Sequence, residues 1–180
     1  MKLFLFCILS LLFINKDPVE RFTYQERSQL SWKDFKGVPP KNIQNSASVN
    51  SGIGYTFSSE TINSKLVLNI QVESYFYPQL SWKKNINENN PNLLQHEQLH
   101  WDISELYARK LRAAYKRYVP QKNPKKEIDF IFKRFEKQRK QTQNAYDLET
   151  KHGLIRKLQI KWNDEVKEEL FKNSQHAKNF

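Results

Sequence analysis

Cysteine is nearly missing from this sequence: Cys7 is the only one in 180 residues, and it lies in an apolar run near the N-terminus. The rest of the chain can form no internal disulfide. Any metal held there must be bound through nitrogen and oxygen, since no thiolate is on offer. Apolar residues are also few, at 38%, but aromatics reach 13%. That share excludes a disordered composition and gives Phe and Tyr a large part in the core. A chain of this length is expected to form one compact domain without covalent staples.

A membrane-length hydrophobic run, which needs roughly 20 residues, is lacking. The apolar run over residues 3–14 is interrupted by Cys7 and Ser10 and preceded by Lys2. This is the pattern of a secretory signal, although no small-x-small cleavage site precedes Asn15-Lys16-Asp17-Pro18. Residues 1–16 are therefore expected to be a signal peptide or N-terminal anchor, and 17–180 a single domain. The expected location is the periplasm, the exterior or the cell envelope.

Acidic residues are outnumbered: the net charge is +11. Without residues 1–16 it is +9, from 28 basic and 19 acidic residues. Much of the excess falls between Arg109 and Lys140. It could suit an anionic surface, acidic glycans or nucleic acid. No nucleic-acid motif accompanies it, so no nucleic-acid partner is expected, and a solvated helix face is the simpler reading.

Residues 17–45 read as irregular, broken by Pro18, Pro39 and Pro40. Period-two alternation predicts strands over 46–57 (Ala47, Val49, Ile53, Tyr55, Phe57) and 65–77 (Leu66, Leu68, Ile70, Val72, Phe76). The polar stretch 58–64 would join them as an antiparallel hairpin. Helical spacing then predicts a helix from about Leu93 to before Pro120, a second over about 125–145 and a third over about 151–171, with Thr150 as N-cap. Strands followed by helices give an α+β fold, with an N-terminal hairpin or small sheet packed on a helical half.

His96-Glu97-Gln98-Leu99-His100 falls on the first predicted helix. The spacing of four places both imidazoles on one face, where they can bind one zinc ion. Glu97 can then act as general base on a water polarised by the metal. A third ligand ten residues after His96 is excluded, because that position is Leu106. The segment from Tyr146 to Gly153 is the obvious source instead, with His152 the first candidate, then Asp147, then Glu149. Tyr146 could donate to a developing oxyanion, and Asp102 could accept from a ligand imidazole. His176 reads as a solvated tail residue, and Trp82 and Trp162 as core. The 65–77 strand is the candidate edge for holding an extended peptide.

The run from Leu93 to Ile103, with Glu105, Ala108 and Arg109, resembles a bacterial family of uncharacterised, predicted secreted zinc-dependent proteases. Tyr146-Asp147, Thr150, His152-Gly153, Gln159 and Trp162 share its pattern, as do Trp32, Phe35, Gly37, Pro39 and Ser81-Trp82. Leu99 and Trp101 depart from it, being bulkier than the small residue and the Phe expected there. The resemblance implies metal binding by His96 and His100, catalysis by Glu97, and a zincin-like domain. The expected function is a zinc-dependent hydrolase, a peptidase acting on peptide or protein. The alternatives are a non-catalytic envelope-binding module that retains zinc and a metal-free basic protein that binds polyanions.

Overall fold

A computed structural model describes residues 19–87 and 91–179. The expected signal segment, residues 1–16, lies outside the described residues. The fold is α+β. Strands β1 (Phe22–Thr23), β2 (Ala47–Ser48), β3 (Ser51–Ile62), β4 (Lys65–Phe76) and β5 (Trp82–Lys83) precede helices α1 (Pro91–Lys116), α2 (Pro124–Thr150) and α3 (Arg156–Lys172). No described helix is long and apolar enough to cross a membrane.

The sheet has the order β1-β4-β3 and is antiparallel, while β2 and β5 form a separate antiparallel pair. The predicted 46–57 strand is thus two pieces: Ala47 belongs to β2, and the chain breaks at Val49-Asn50 before β3 begins. The expected loop 58–64 is corrected as well. Ile62 pairs with Lys65, so only Asn63 and Ser64 turn the chain, with φ of 49° and 61°. Two successive positive φ values suit the type I′ hairpin turn, whose twist matches the flanking strands.

Burial explains why the polar stretch is still strand. Ile70, Val72, Ser74 and Phe76 are buried under the helices, whereas Leu66 is 47% exposed. The hairpin tip therefore projects past the helical layer, and its side chains need not be apolar. Nearer the core, Val72 pairs with Tyr55 and Ile70 with Phe57, cross-strand pairs that pack well on a pleated surface.

Helix α1 is the central element. Ala108, Leu111 and Tyr115 pack with Ile53, Ile70 and Val72 of the sheet and Ile128 of α2. Trp101 packs with Leu30, Trp32, Phe35 and Phe76. Leu99, Ile103 and Leu106 pack with Tyr146 of α2 and Val166 of α3. Each large apolar side chain fully buried this way stabilises the fold by about 1.5–3 kcal/mol. Buried polar groups fix the helix on the sheet. Glu105 accepts from Ser74 Oγ at 2.8 Å, and Arg112 donates to the Val72 carbonyl at 2.9 Å. Arg112 also donates to the His176 carbonyl at 3.1 Å. His176 is therefore buried rather than solvated, and the basic run is not simply a solvated face, since Arg112 and Arg139 are buried.

Helix α2 starts at Pro124, where Asn123 Oδ1 accepts from the Lys126 amide at 3.1 Å. It continues through Thr150, five residues beyond its expected end. Lys151, His152 and Gly153 then take positive φ values of 48°, 54° and 82°. These stop the helix and delay α3 to Arg156. Thr150 is consequently not an N-cap for α3: its Oγ1 donates to the Tyr146 carbonyl at 2.7 Å and accepts from the Gly153 amide at 3.1 Å.

Candidate functional site

The antiparallel packing of α1 on α2 brings His96 and His100 against Asp147. His96 Nε2 lies 3.1 Å and His100 Nε2 3.0 Å from Asp147 Oδ1. His152, in the turn after α2, puts its Nδ1 3.3 Å from the same oxygen. Three imidazole nitrogens from three places in the sequence thus converge on one carboxylate oxygen. His96, Asp147 and His152 each offer a ligand atom within 4.8 Å of the others.

The far side of each helical imidazole is anchored. His96 Nδ1 lies 3.1 Å from Gln159 Oε1 and His100 Nδ1 3.0 Å from Gln143 Oε1. The glutamine orientations are set by their amide nitrogens. Gln143 Nε2 donates to the His100 carbonyl and Ser104 Oγ, and Gln159 Nε2 donates to Asn163 Oδ1. Each Nδ1 must then carry the hydrogen, which turns the Nε2 lone pair of a neutral ring toward Asp147. Two lone pairs facing a carboxylate oxygen repel unless a positive charge lies between them. That charge is either a proton on the imidazole or a metal ion. Burial opposes a charged His100, but the hydrogen bond to Asp147 and the nearby Glu97 outweigh it and raise its pKa. Burial likewise works against ionised Asp147, yet the bonds from His100 and His96 hold it well below the usual carboxylate range.

Glu97 sits beside this cluster and is buried. Its Oε2 accepts from the Val49 amide at 2.9 Å, and no described residue donates to Oε1. Burial pushes its carboxyl up, against the pull of His100 and His96. Both carboxylates and all three imidazoles line a cleft of about 540 Å³, with residues 44–49 along one wall and Gln143, Asn144, Lys151 and Leu154 along the other. The expected peptide-holding strand is therefore corrected. β4 is the middle strand of its sheet and lines no part of the cleft, whereas β2 does.

Three other expectations change. Tyr146 is fully buried, stacks on His96 with centroids 4.6 Å apart, and donates to Gln159 Oε1 at 2.8 Å. Its hydroxyl is thus turned into the core rather than toward an oxyanion. Glu149 accepts from Trp162 Nε1 at 2.8 Å and lies outside the cleft. Asp102 accepts from Tyr24 and Gln98, not from a ligand imidazole. His152 is placed by a turn and not by a helix. Gly153 is required beside it, because a Cβ there would lie 3.1 Å from His96 Cβ and 3.2 Å from the ring.

Sequence reasoning gave no role to Gln143 or to the 44–49 wall. Gln143 could have been found: it lies four residues before Asp147, on the same helical face. The wall could not, because nothing in its composition joins it to α1.

Residues 74–153 are similar to a family described as "Bacterial protein of unknown function (DUF922)". The match covers less than half of the chain, but it contains all three imidazoles, Glu97 and Asp147. No curated protein and no solved structure matches the chain.

Proposed function

We propose that this chain is a zinc-dependent hydrolase acting on peptide bonds. The observation that carries this is the pair of imidazoles, each anchored through Nδ1, presenting Nε2 to one acidic oxygen beside a buried carboxylate. Nitrogen and carboxylate donors are a set zinc accepts. His96 and His100 would hold it, together with Asp147, which moves ahead of His152 because it is on a helix and faces both rings. Bound zinc would polarise the scissile carbonyl and acidify the attacking water. Glu97, whose Oε1 accepts from no described residue, would take the proton from that water and return it to the leaving amine. The β2 backbone at Ala47–Ser48, which lines the cleft, would offer a substrate an extended partner. Tyr146 and Gln159 orient His96, and Gln143 orients His100.

A second reading rests on the 3.3 Å approach of His152. With His152 as a fourth ligand the site would be closed, as in structural zinc centres, and the chain would be a non-catalytic binding module.

The test is zinc content and hydrolysis in the purified chain. About one zinc per chain is expected, lost in His96→Ala and in His100→Ala. Glu97→Gln should keep zinc and lose hydrolysis of a peptide library. Protein that takes up no zinc ends both readings. Zinc uptake with no hydrolysis by wild type leaves the closed site.

A further inference from the structure

Helix α2 carries its charge unevenly. Between Phe130 and Tyr146 it has Lys133, Arg134, Lys137, Arg139 and Lys140 against one acid, Glu136. Lys133, Lys137, Lys140 and Asn144 follow one another at spacings of four, three and four, and all are exposed. Those spacings put them on one stripe of the helix. The stripe borders a surface groove of about 320 Å³ that includes Phe132. Asn144 lines both this groove and the cleft beside Asp147, so the two depressions meet at one residue.

The acids nearby are already engaged. Glu136 accepts from Arg139 Nε and Nη2 at 2.7 Å each, with Lys140 at 3.6 Å. Asp129 is held by the Tyr55 hydroxyl and by Lys125. Lys133 draws on Asp129 one turn away without pairing with it, and Lys137 and, at the cleft rim, Lys151 form no ion pair among the described residues. Like charges four residues apart repel by a few tenths of a kcal/mol, and an anionic occupant would reverse that.

Resting on the peptidase reading, we propose that the α2 stripe docks an acidic segment of the substrate polypeptide, leading it from the cleft along Lys140, Lys137 and Lys133. At 1.5 Å per residue these lysines lie roughly 10, 15 and 21 Å along the helix from Asp147. An extended peptide advances about 3.3 Å per residue. The acidic side chains would then fall about three to six residues from the cleaved bond.

The test uses the full chain and two fluorescein-labelled peptides, sharing a neutral sequence and ending in a run of Glu or of Gln. Binding is read by anisotropy in the Glu97→Gln background, so that neither peptide is consumed. The Glu peptide should bind about five- to tenfold tighter at low ionic strength, as expected for three exposed ion pairs. The preference should weaken steadily as salt rises and disappear in Lys133→Gln/Lys137→Gln/Lys140→Gln. Equal binding of the two peptides, or a preference that survives in the triple variant, overturns the proposal. So does attachment of anionic lipid vesicles through these lysines with no discrimination between peptides. Zinc-loaded wild type that cleaves the Gln peptide but shows no preference for Glu removes the stripe and leaves the hydrolase. A preference for Glu with no cleavage of either peptide or of the peptide library keeps the docking surface and removes the hydrolase.

Discussion

Two glutamines decide what His96 and His100 can do. By accepting from Nδ1, Gln143 and Gln159 leave Nε2 as the donor atom and fix the plane of each ring. Partners of this kind typically carry about 10–100-fold in metal affinity. Gln143→Leu should weaken zinc by that order while circular dichroism shows the fold intact; an unchanged affinity in a dye-competition titration counts against the assigned tautomer. Asp102 gives a residue-scale test of a different sort. Burial pushes it up to about 6, against hydrogen bonds from Gln98 and Tyr24 to its Oδ1. The folded chain thus keeps a proton that the unfolded chain has released. Stability is lost as pH rises from roughly 4 to 6, since the unfolded state binds fewer protons there. Asp102→Asn keeps the oxygen that accepts both bonds. It should match wild type near pH 4 and exceed it near pH 7, by at most about 3 kcal/mol. Urea melts that show the same difference at both pH values would refute this.

At the scale of elements, the turn after α2 does most to complete the site. Three consecutive positive φ values place His152 beside Asp147 and bring Gly153 under His96. Gly153→Ala should destabilise the fold by about 1–2 kcal/mol through backbone strain alone. It should also weaken zinc binding by tilting the His96 ring. Thermal melts and zinc titration read the two effects separately, and a variant that binds zinc like wild type would show that the ring does not depend on this contact. The long helices and the central part of the hairpin were legible in the sequence, because burial imposes a period on them. Residues 58–62 were not, since the hairpin tip overhangs the core and no apolar alternation is required there. The late start of α3 was hidden for another reason: Lys151 does not announce left-handed backbone, and only His152 and Gly153 hint at it. His96, Glu97 and His100 could be read from spacing alone. The closeness of Asp147 to both rings could not, because it depends on how α1 and α2 pack.

For the whole molecule, zinc bound only by the folded chain raises stability by mass action. At free zinc about 1,000 times the dissociation constant this amounts to roughly 4 kcal/mol. In a chain of this size it corresponds to about 8–16 °C in Tm. Chelator should remove that increment from wild type and change nothing in His96→Ala; a melt indifferent to chelator would mean that no such ion is held. The position of α1 has a further consequence. It contributes side chains to all three hydrophobic clusters, so its amides should exchange with deuterium only when the entire chain opens. The turn at 151–153, largely exposed and outside all three hydrophobic clusters, should open on its own. With His152 as a further ligand, zinc would tie this yielding segment to the slowest-exchanging one. Deuterium uptake at residues 151–155 should then fall sharply on adding zinc, while the α1 amides, already limited by global opening, should slow only by the overall gain in stability.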